Sequence, residues 1–458
     1  MKRLLAIILV VTLVLSLPAC GGNDPTDPPP TNPMPTDPAP SVPAGEVVAN
    51  GTQNIVVWGE EWGAVVSKTV VTLDVTVAAS TVTADSFFVY EVKETLDMTA
   101  SSGGEPSEDP VTETSVRQVL DAYTCDAEGN RVEGDSNIIC IEMYVDPDVG
   151  GAFLYNFIAG SNAWNDPYEL HLCTTGTAAL TTAEGAAITG LNVAPAIDMS
   201  RAMMPQLANV DLTGTYTGSD GMTLGYGSYV PEPDDKKNPL VIWLHGAGEG
   251  AAGGEMGPEL VSLGNEVTAF YSDEFQSLFG GAYVLTPQTP TMWMDNGVGE
   301  YSADGTSIYT TALEELIESY VEGNPDIDKD RILIGGCSNG GYMTMNLILS
   351  DPNYYAAAYP VCEAYFDAWI TDERLADIAD LPIWFTYALN DTVVDPNACS
   401  VPTIARLKAI NDDVHVSAFE NVYGDSYTGH WSWLYVFNNE CVDEAGINMW
   451  VWMSQQSK

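Results

Sequence analysis

The sequence predicts an all-β sandwich followed by an α/β domain whose mostly parallel sheet carries helices on both faces. Three observations carry this. Residues 46–205 fall into short runs rich in Val, Thr and Ile, separated by Gly, Asp and Pro, with little helical periodicity. Residues 206–458 alternate short apolar runs with amphipathic stretches, the pattern of repeated strand–helix units. Within that second half, Gly336-Cys337-Ser338-Asn339-Gly340 lies between the apolar run Ile332–Gly335 and the helix-compatible M-T-M-N-L-I-L that Pro352 stops.

In the first half, Val65–Val77 alternates around Val, Thr and Leu, and Ser86–Glu94, Ile138–Val145 and Tyr168–Cys173 read as further strands. Short strands with turn residues between them predict an immunoglobulin-like sandwich over 46–205. His171, inside Y-E-L-H-L, reads as an ordinary strand side chain.

In the second half, Thr213–Pro231 predicts a hairpin turning at Asp220-Gly221. Strands follow at Leu240–Leu244, Ala282–Thr286, Ile332–Gly335, Tyr355–Val361, Pro382–Leu389 and Val414–Asn421. Helices are expected over Ile308–Tyr320, Thr403–Ile410 and Asn448–Ser454. In such a sheet, ligands bind at the carboxyl ends of the strands, and Ser338 falls at one.

The N-terminus predicts export. Met1-Lys2-Arg3 is basic, Leu4–Leu17 is apolar but short for a membrane span, and Leu17-Pro18-Ala19-Cys20 resembles the lipobox of bacterial lipoproteins. This makes 1–19 a signal peptide and Cys20 the lipidated residue, with a Pro/Thr/Asp-rich tether to residue 45. The chain carries 15 Lys+Arg against 64 Asp+Glu, a formal charge of −49. So acidic a surface repels phosphate backbones and excludes nucleic acid as a partner. The eight cysteines contain no C-x-x-C, so no zinc or other metal is expected. Gly248-x-Gly250-x-x-Gly253 lacks an acidic strand end about 20 residues on, so no dinucleotide or other cofactor is expected.

G-x-S-x-G between strand and helix makes a nucleophile elbow, with small residues required two positions either side of the nucleophile. Ser338 then needs a base to take its proton and an acid to orient that base. Of the four histidines, His171 lies in the other half, His245 precedes the serine and His415 lies inside a strand. His430 follows the last strand, where the base belongs. Asp391 is the first acidic residue past Pro382–Leu389, with Asp395 the runner-up. Two backbone N–H groups are needed for an oxyanion. Asn339 supplies one, and the loop His245-Gly246-Ala247-Gly248 the other, through Ala247 or else Gly248.

With those residues in view, the second half resembles the α/β-hydrolase esterases grouped with poly(3-hydroxybutyrate) depolymerases and feruloyl esterases. The matching pieces are L-H-G-A-G-E-G at 244–250, T-P-Q-T-P-T-M-W-M-D at 286–295, G-G-C-S-N-G-G-Y-M at 335–343, N-D-T-V-V-D-P at 390–396 and G-H-W-S-W at 429–433. An Ig-like domain ahead of such a hydrolase is similar to a known esterase architecture. The resemblance implies Ser338 as nucleophile, Asp391 as acid, His430 as base and Trp293 lining the cleft. Trp431, with Trp433, adds a further aromatic wall.

The expected activity is a secreted, lipid-anchored serine ester hydrolase acting on polysaccharide-linked or small acyl esters, its partners an ester substrate and, through the lipid, a membrane. The competing readings are a serine peptidase of prolyl-oligopeptidase type, whose propeller repeats are missing from the first half, and a non-catalytic surface-binding lipoprotein. Cys337 and Cys362, ending neighbouring strands in an exported protein, are expected as a disulfide candidate.

Overall fold

The computed structural model describes residues 45–96, 110–156, 161–251, 256–424 and 426–458. The signal peptide, Cys20 and nearly all of the tether lie outside these residues, as does Gly253. Among the described residues no helix is long and apolar enough to cross a membrane.

The first half is built from β1 (Glu46–Glu60), β2 (Gly63–Val77), β3 (Phe87–Leu96), β4 (Pro110–Arg117), β5 (Val119–Thr124), β6 (Ser136–Met143), β7 (Phe153–Asn156), β8 (Ser161–Trp164), β9 (Tyr168–Thr174) and β10 (Ala187–Val193). One sheet runs β10-β1-β2-β6-β5, another β4-β3-β9, and β7-β8 form a separate hairpin. Alternation along the strands sends Ile55, Val57, Val66 and Val71 of the larger sheet and Val89, Leu170 and Leu172 of the smaller into one core. The sequence predicts no strand over Glu46–Glu60, where β1 forms. Asn50, Gly51 and Asn54 weaken its local propensity, but it pairs with β2 along one edge and with β10 along the other.

The sandwich also contains a charge pair that composition alone hides. Arg117 is fully buried; its Nη1 donates to Glu91 Oε2 at 2.7 Å, and Nη2 donates to the carbonyls of Val66 and Tyr144. Burial raises the Glu91 carboxyl, but Arg117, Lys93 and the Tyr168 hydroxyl outweigh it and leave the pKa below its ordinary value.

The second half holds an eight-stranded sheet, β11 (Val210–Thr217), β12 (Thr223–Tyr229), β13 (Asn238–Leu244), β14 (Tyr283–Gln288), β15 (Ile327–Cys337), β16 (Ala357–Val361), β17 (Ile383–Ala388) and β18 (Val414–Phe419). Its order is β11-β12-β14-β13-β15-β16-β17-β18. The hairpin β11–β12 is antiparallel, and all neighbours from β14 to β18 are parallel. Fully buried strands split their side chains by a period of two. Leu240, Ile242 and Leu244 face one layer with α3 (Thr310–Gly323) and α4 (Asn339–Ser350), whereas Val241 and Trp243 face the other. That other layer holds α7 (Trp433–Phe437) and α8 (Met449–Gln455). β15 starts five residues before the apolar run predicts, because its Asp328–Arg331 segment reaches into solvent.

Candidate active site

At the end of β15 the chain turns into α4 through Ser338, whose φ of 55° and ψ of −112° are strained for any residue with a Cβ. Packing shows why the flanking residues are glycines. A Cβ on Gly340 would run into the carbonyl oxygens of Leu244 and His245, and one on Gly336 into that of Leu244. These obstacles are backbone and cannot rotate away. The elbow is held by the Ser338 N–H donating to Val361 O at 2.9 Å, and the Tyr342 N–H donating back to Ser338 O.

Asp391 follows β17 and His430 follows β18, so both arrive at the same carboxyl-end rim as Ser338. His430 Nδ1 lies 2.8 Å from Asp391 Oδ2, and both side chains are buried. Asp391 Oδ1 accepts from the N–H groups of Val393 and Val394 at 2.8 and 3.0 Å, which locks the carboxylate in place. A carboxylate on Nδ1 fixes the proton there and leaves Nε2 as the basic nitrogen. Asp395 instead accepts from the N–H and side-chain amide of Asn397, within its own turn. The Cys362 thiol adjoins the Ser338 backbone, and lies within 4.8 Å of ligating atoms of Asp391 and His430. The serine, the acid and the histidine therefore border one buried sulfur.

Ala247 opens a short 3-10 turn, Ala247–Glu249, and is only half-buried, so its N–H stands at the head of the turn without a partner inside it. His245 orients this loop. Its Nδ1 lies 2.5 Å from Gly246 O, and its Nε2 accepts from the Thr289 N–H at 3.2 Å. Burial pushes the imidazole down to about 4, so it stays neutral with its proton on Nδ1. Pinning the Gly246 carbonyl fixes the peptide plane and directs the Ala247 N–H the opposite way. The sequence placed His245 beside the loop without a role; the role comes from Thr289, 44 residues away. Asn339, at the start of α4, is buried, and its Oδ1 accepts from the Met294 N–H. Glu249 closes the turn with a buried carboxyl that burial pushes up to about 7, opposed by a hydrogen bond from Asn265.

Trp293 does not line a cleft. It is fully buried, packs beside His245 and Tyr309, and belongs to the core beneath the sheet, because the 286–295 segment folds inward where Asn339 holds Met294. Trp431 is half-buried, stacked on Tyr427, and Trp433 packs edge-on against His430. The other histidines serve packing: His171 stacks on Tyr90, and His415 bridges Asp413 and Asp443 against Trp384. Cys337 and Cys362 are free thiols, contrary to the disulfide expectation. β16 pairs Val361, not Cys362, with Cys337, and Cys362 turns away at a φ of 35° toward the acid and histidine, whereas Cys337 packs at Gly246.

Two family models and one solved structure agree with this architecture. Residues 53–189 match the family model described as the esterase Ig-like N-terminal domain. Residues 227–428 match that of the phospholipase/carboxylesterase family. A solved thermostable esterase superposes with a TM-score of 0.69 at 21% identity, covering 89% of this chain and 99% of its own. An S-formylglutathione hydrolase from Agrobacterium tumefaciens aligns at 12% identity and TM-score 0.38, over 54% of this chain and 95% of its own. A fluorophosphonate-binding serine hydrolase from Staphylococcus aureus gives 14% and 0.38, over 53% and 97%. No curated protein matches the sequence. The chain carries an Ig-like domain followed by an α/β-hydrolase fold.

Proposed function

We propose that the protein is a serine carboxylic-ester hydrolase working through an acyl-enzyme, with Ser338 as nucleophile, His430 as base and Asp391 as the acid that orients it. The observation that carries this reading is the 2.8 Å contact between His430 Nδ1 and Asp391 Oδ2 at the rim where the strained Ser338 turn ends β15. Ser338 Oγ adds to the ester carbonyl carbon as its proton passes to His430 Nε2. The tetrahedral oxyanion takes the N–H groups of Ala247 and Asn339. Collapse expels the alcohol, which carries the proton from Nε2, and water repeats the sequence in reverse to free the acid.

The finer reading places the enzyme outside the cytoplasm, anchored by a lipid on Cys20, and acting on polysaccharide-linked or small acyl esters, as in the feruloyl-esterase and hydroxybutyrate-depolymerase group. Its support is the Met1–Cys20 segment and the five quoted motifs. Trp431 is the aromatic residue available to an acyl or sugar ring. The peptidase alternative has less support, since the described residues of 46–205 form a sandwich rather than propeller blades.

The test is hydrolysis of short p-nitrophenyl esters beside the matching anilides, with Ser338→Ala as control. Ester turnover should fall roughly 10⁴- to 10⁶-fold in the variant, and a fluorophosphonate adduct should map to Ser338. Labelling elsewhere, or faster anilide than ester cleavage, overturns the reading. Ferulate, acetyl-xylan and hydroxyalkanoate esters then rank the acyl group.

A further inference from the structure

In the loop that delivers His430, the described residues between β18 and the turn Gly429–Trp431, 420–424 and 426–428, form no helix or strand. Part of it is tied down within its own domain: the Tyr423 N–H donates to Tyr435 Oη, which in turn donates to Asn421 O. Tyr427 differs. Its ring stacks on Trp431, next to the histidine, but its hydroxyl reaches out of the domain and donates to Glu61 Oε1 at 2.5 Å. Glu61 sits at the tip of the β1–β2 hairpin, 366 residues away in sequence. Its second oxygen accepts from Asn438 Nδ2 at 3.2 Å, and Asn438 also donates to Tyr423 Oη at 2.8 Å. One carboxylate of the N-terminal domain thus ties both ends of the histidine-bearing segment. Burial and Glu61 together keep the Tyr427 phenol above its ordinary pKa, so it remains a donor.

The same domain also reaches the oxyanion loop. β8 packs on the Ala247–Glu249 turn, and its Trp164 Nε1 donates to Glu259 Oε1 at 3.1 Å, just beyond the oxyanion loop. The N-terminal domain therefore touches the loop of the base and the loop of the oxyanion donor.

We propose that Glu61 is a positioning residue for catalysis: acting through Tyr427 and Asn438, it holds the His430 loop in its working geometry, which makes the N-terminal domain part of the active site. This rests on the esterase reading above. Because His430 has to meet both Ser338 and Asp391, small displacements of its loop affect the chemical step far more than substrate binding.

The experiment uses the full chain. Glu61→Ala and Tyr427→Phe are each expected to lower kcat for p-nitrophenyl ester hydrolysis about tenfold, with KM changed less than about twofold. The double variant should lose no more than Glu61→Ala alone, since Tyr427→Phe removes a contact that Glu61→Ala has already removed. Glu61→Gln, whose amide oxygen still accepts from Tyr427, should retain most of the activity. Tyr427→Phe keeps the stack on Trp431 and guards against simple misfolding. Fluorophosphonate labelling of Ser338 is followed in parallel. If wild-type protein labels and turns over while Glu61→Ala lowers only the melting temperature, the positioning role is wrong. So too if Gln and Ala variants lose equally, or the losses add. If wild-type protein neither labels at Ser338 nor hydrolyses esters, the esterase reading itself fails and takes the inference with it.

Discussion

Asp391 divides its two carboxylate oxygens between separate tasks: Oδ2 meets His430 Nδ1 at 2.8 Å, while Oδ1 is held by the Val393 and Val394 N–H groups. Asp391→Asn would keep the shape but present an amide in place of the carboxylate, favouring the wrong imidazole tautomer. On the proposed esterase reading a kcat loss of roughly 10³- to 10⁴-fold is expected. Asp395→Asn, which touches only its own turn, should stay within about twofold of wild type in the same assay. The reverse ranking would move the acid to Asp395.

Ser338 stores strain that its replacement exposes. Alanine keeps the Cβ that makes φ 55° unfavourable, whereas glycine does not. Ser338→Gly is therefore expected to be more stable than Ser338→Ala by about 1 kcal/mol, the inverse of the usual order for these two residues. Urea midpoints of the two variants decide it. Gly340→Ala should go the other way, destabilising by about 3 kcal/mol or more, because its Cβ meets backbone rather than a movable side chain.

Removing Arg117 alone leaves the buried Glu91 carboxylate with Lys93 as its one cationic partner among the described residues. Arg117→Met should destabilise the N-terminal domain by roughly 3–5 kcal/mol, while the double change with Glu91→Gln should lose much less. Chemical denaturation of the three variants measures the coupling, and additive losses would show that the pair does not act as one unit.

Two buried carboxyls make stability fall as pH rises. Burial pushes Glu363 up to about 8 and Glu249 to about 7. Between about pH 4.5 and these values the unfolded chain releases protons that the folded chain keeps, so their contribution is full below about 4.5 and is lost by about pH 8. Glu363 accepts from the Tyr365 N–H and the Ser400 hydroxyl, and a Gln amide meets both. Glu363→Gln should raise the melting temperature at pH 8 by about 3 °C or more and flatten its pH dependence. High salt separates this from general repulsion among the acidic residues, which salt screens. A curve as steep as the wild type's, measured in high salt, would refute the assignment.

What the sequence determined by itself was local or ordinal. A G-x-S-x-G between an apolar run and a helix dictates the Ser338 turn, because only small neighbours fit the packing that such a turn brings. Short apolar runs marked most strands of the sheet, and the order of its strands placed Asp391 and His430 after two of them. The sequence also singled out His430 among four histidines, since only it follows the last strand. The tertiary structure decided what depends on residues meeting from far apart. Trp293 reads as a cleft residue from its motif, yet Asn339 draws its segment into the core. Cys337 and Cys362 end neighbouring strands, but their directions follow from the sheet register and the backbone turn at Cys362, which spacing does not encode. His245 gains its orienting role from Thr289, and Arg117 its burial from Glu91 on a paired strand. Glu61 and Tyr427 meet only because two domains pack together. No local pattern marks either residue: a hairpin-tip glutamate and a loop tyrosine look like solvent-facing side chains until their contact is formed.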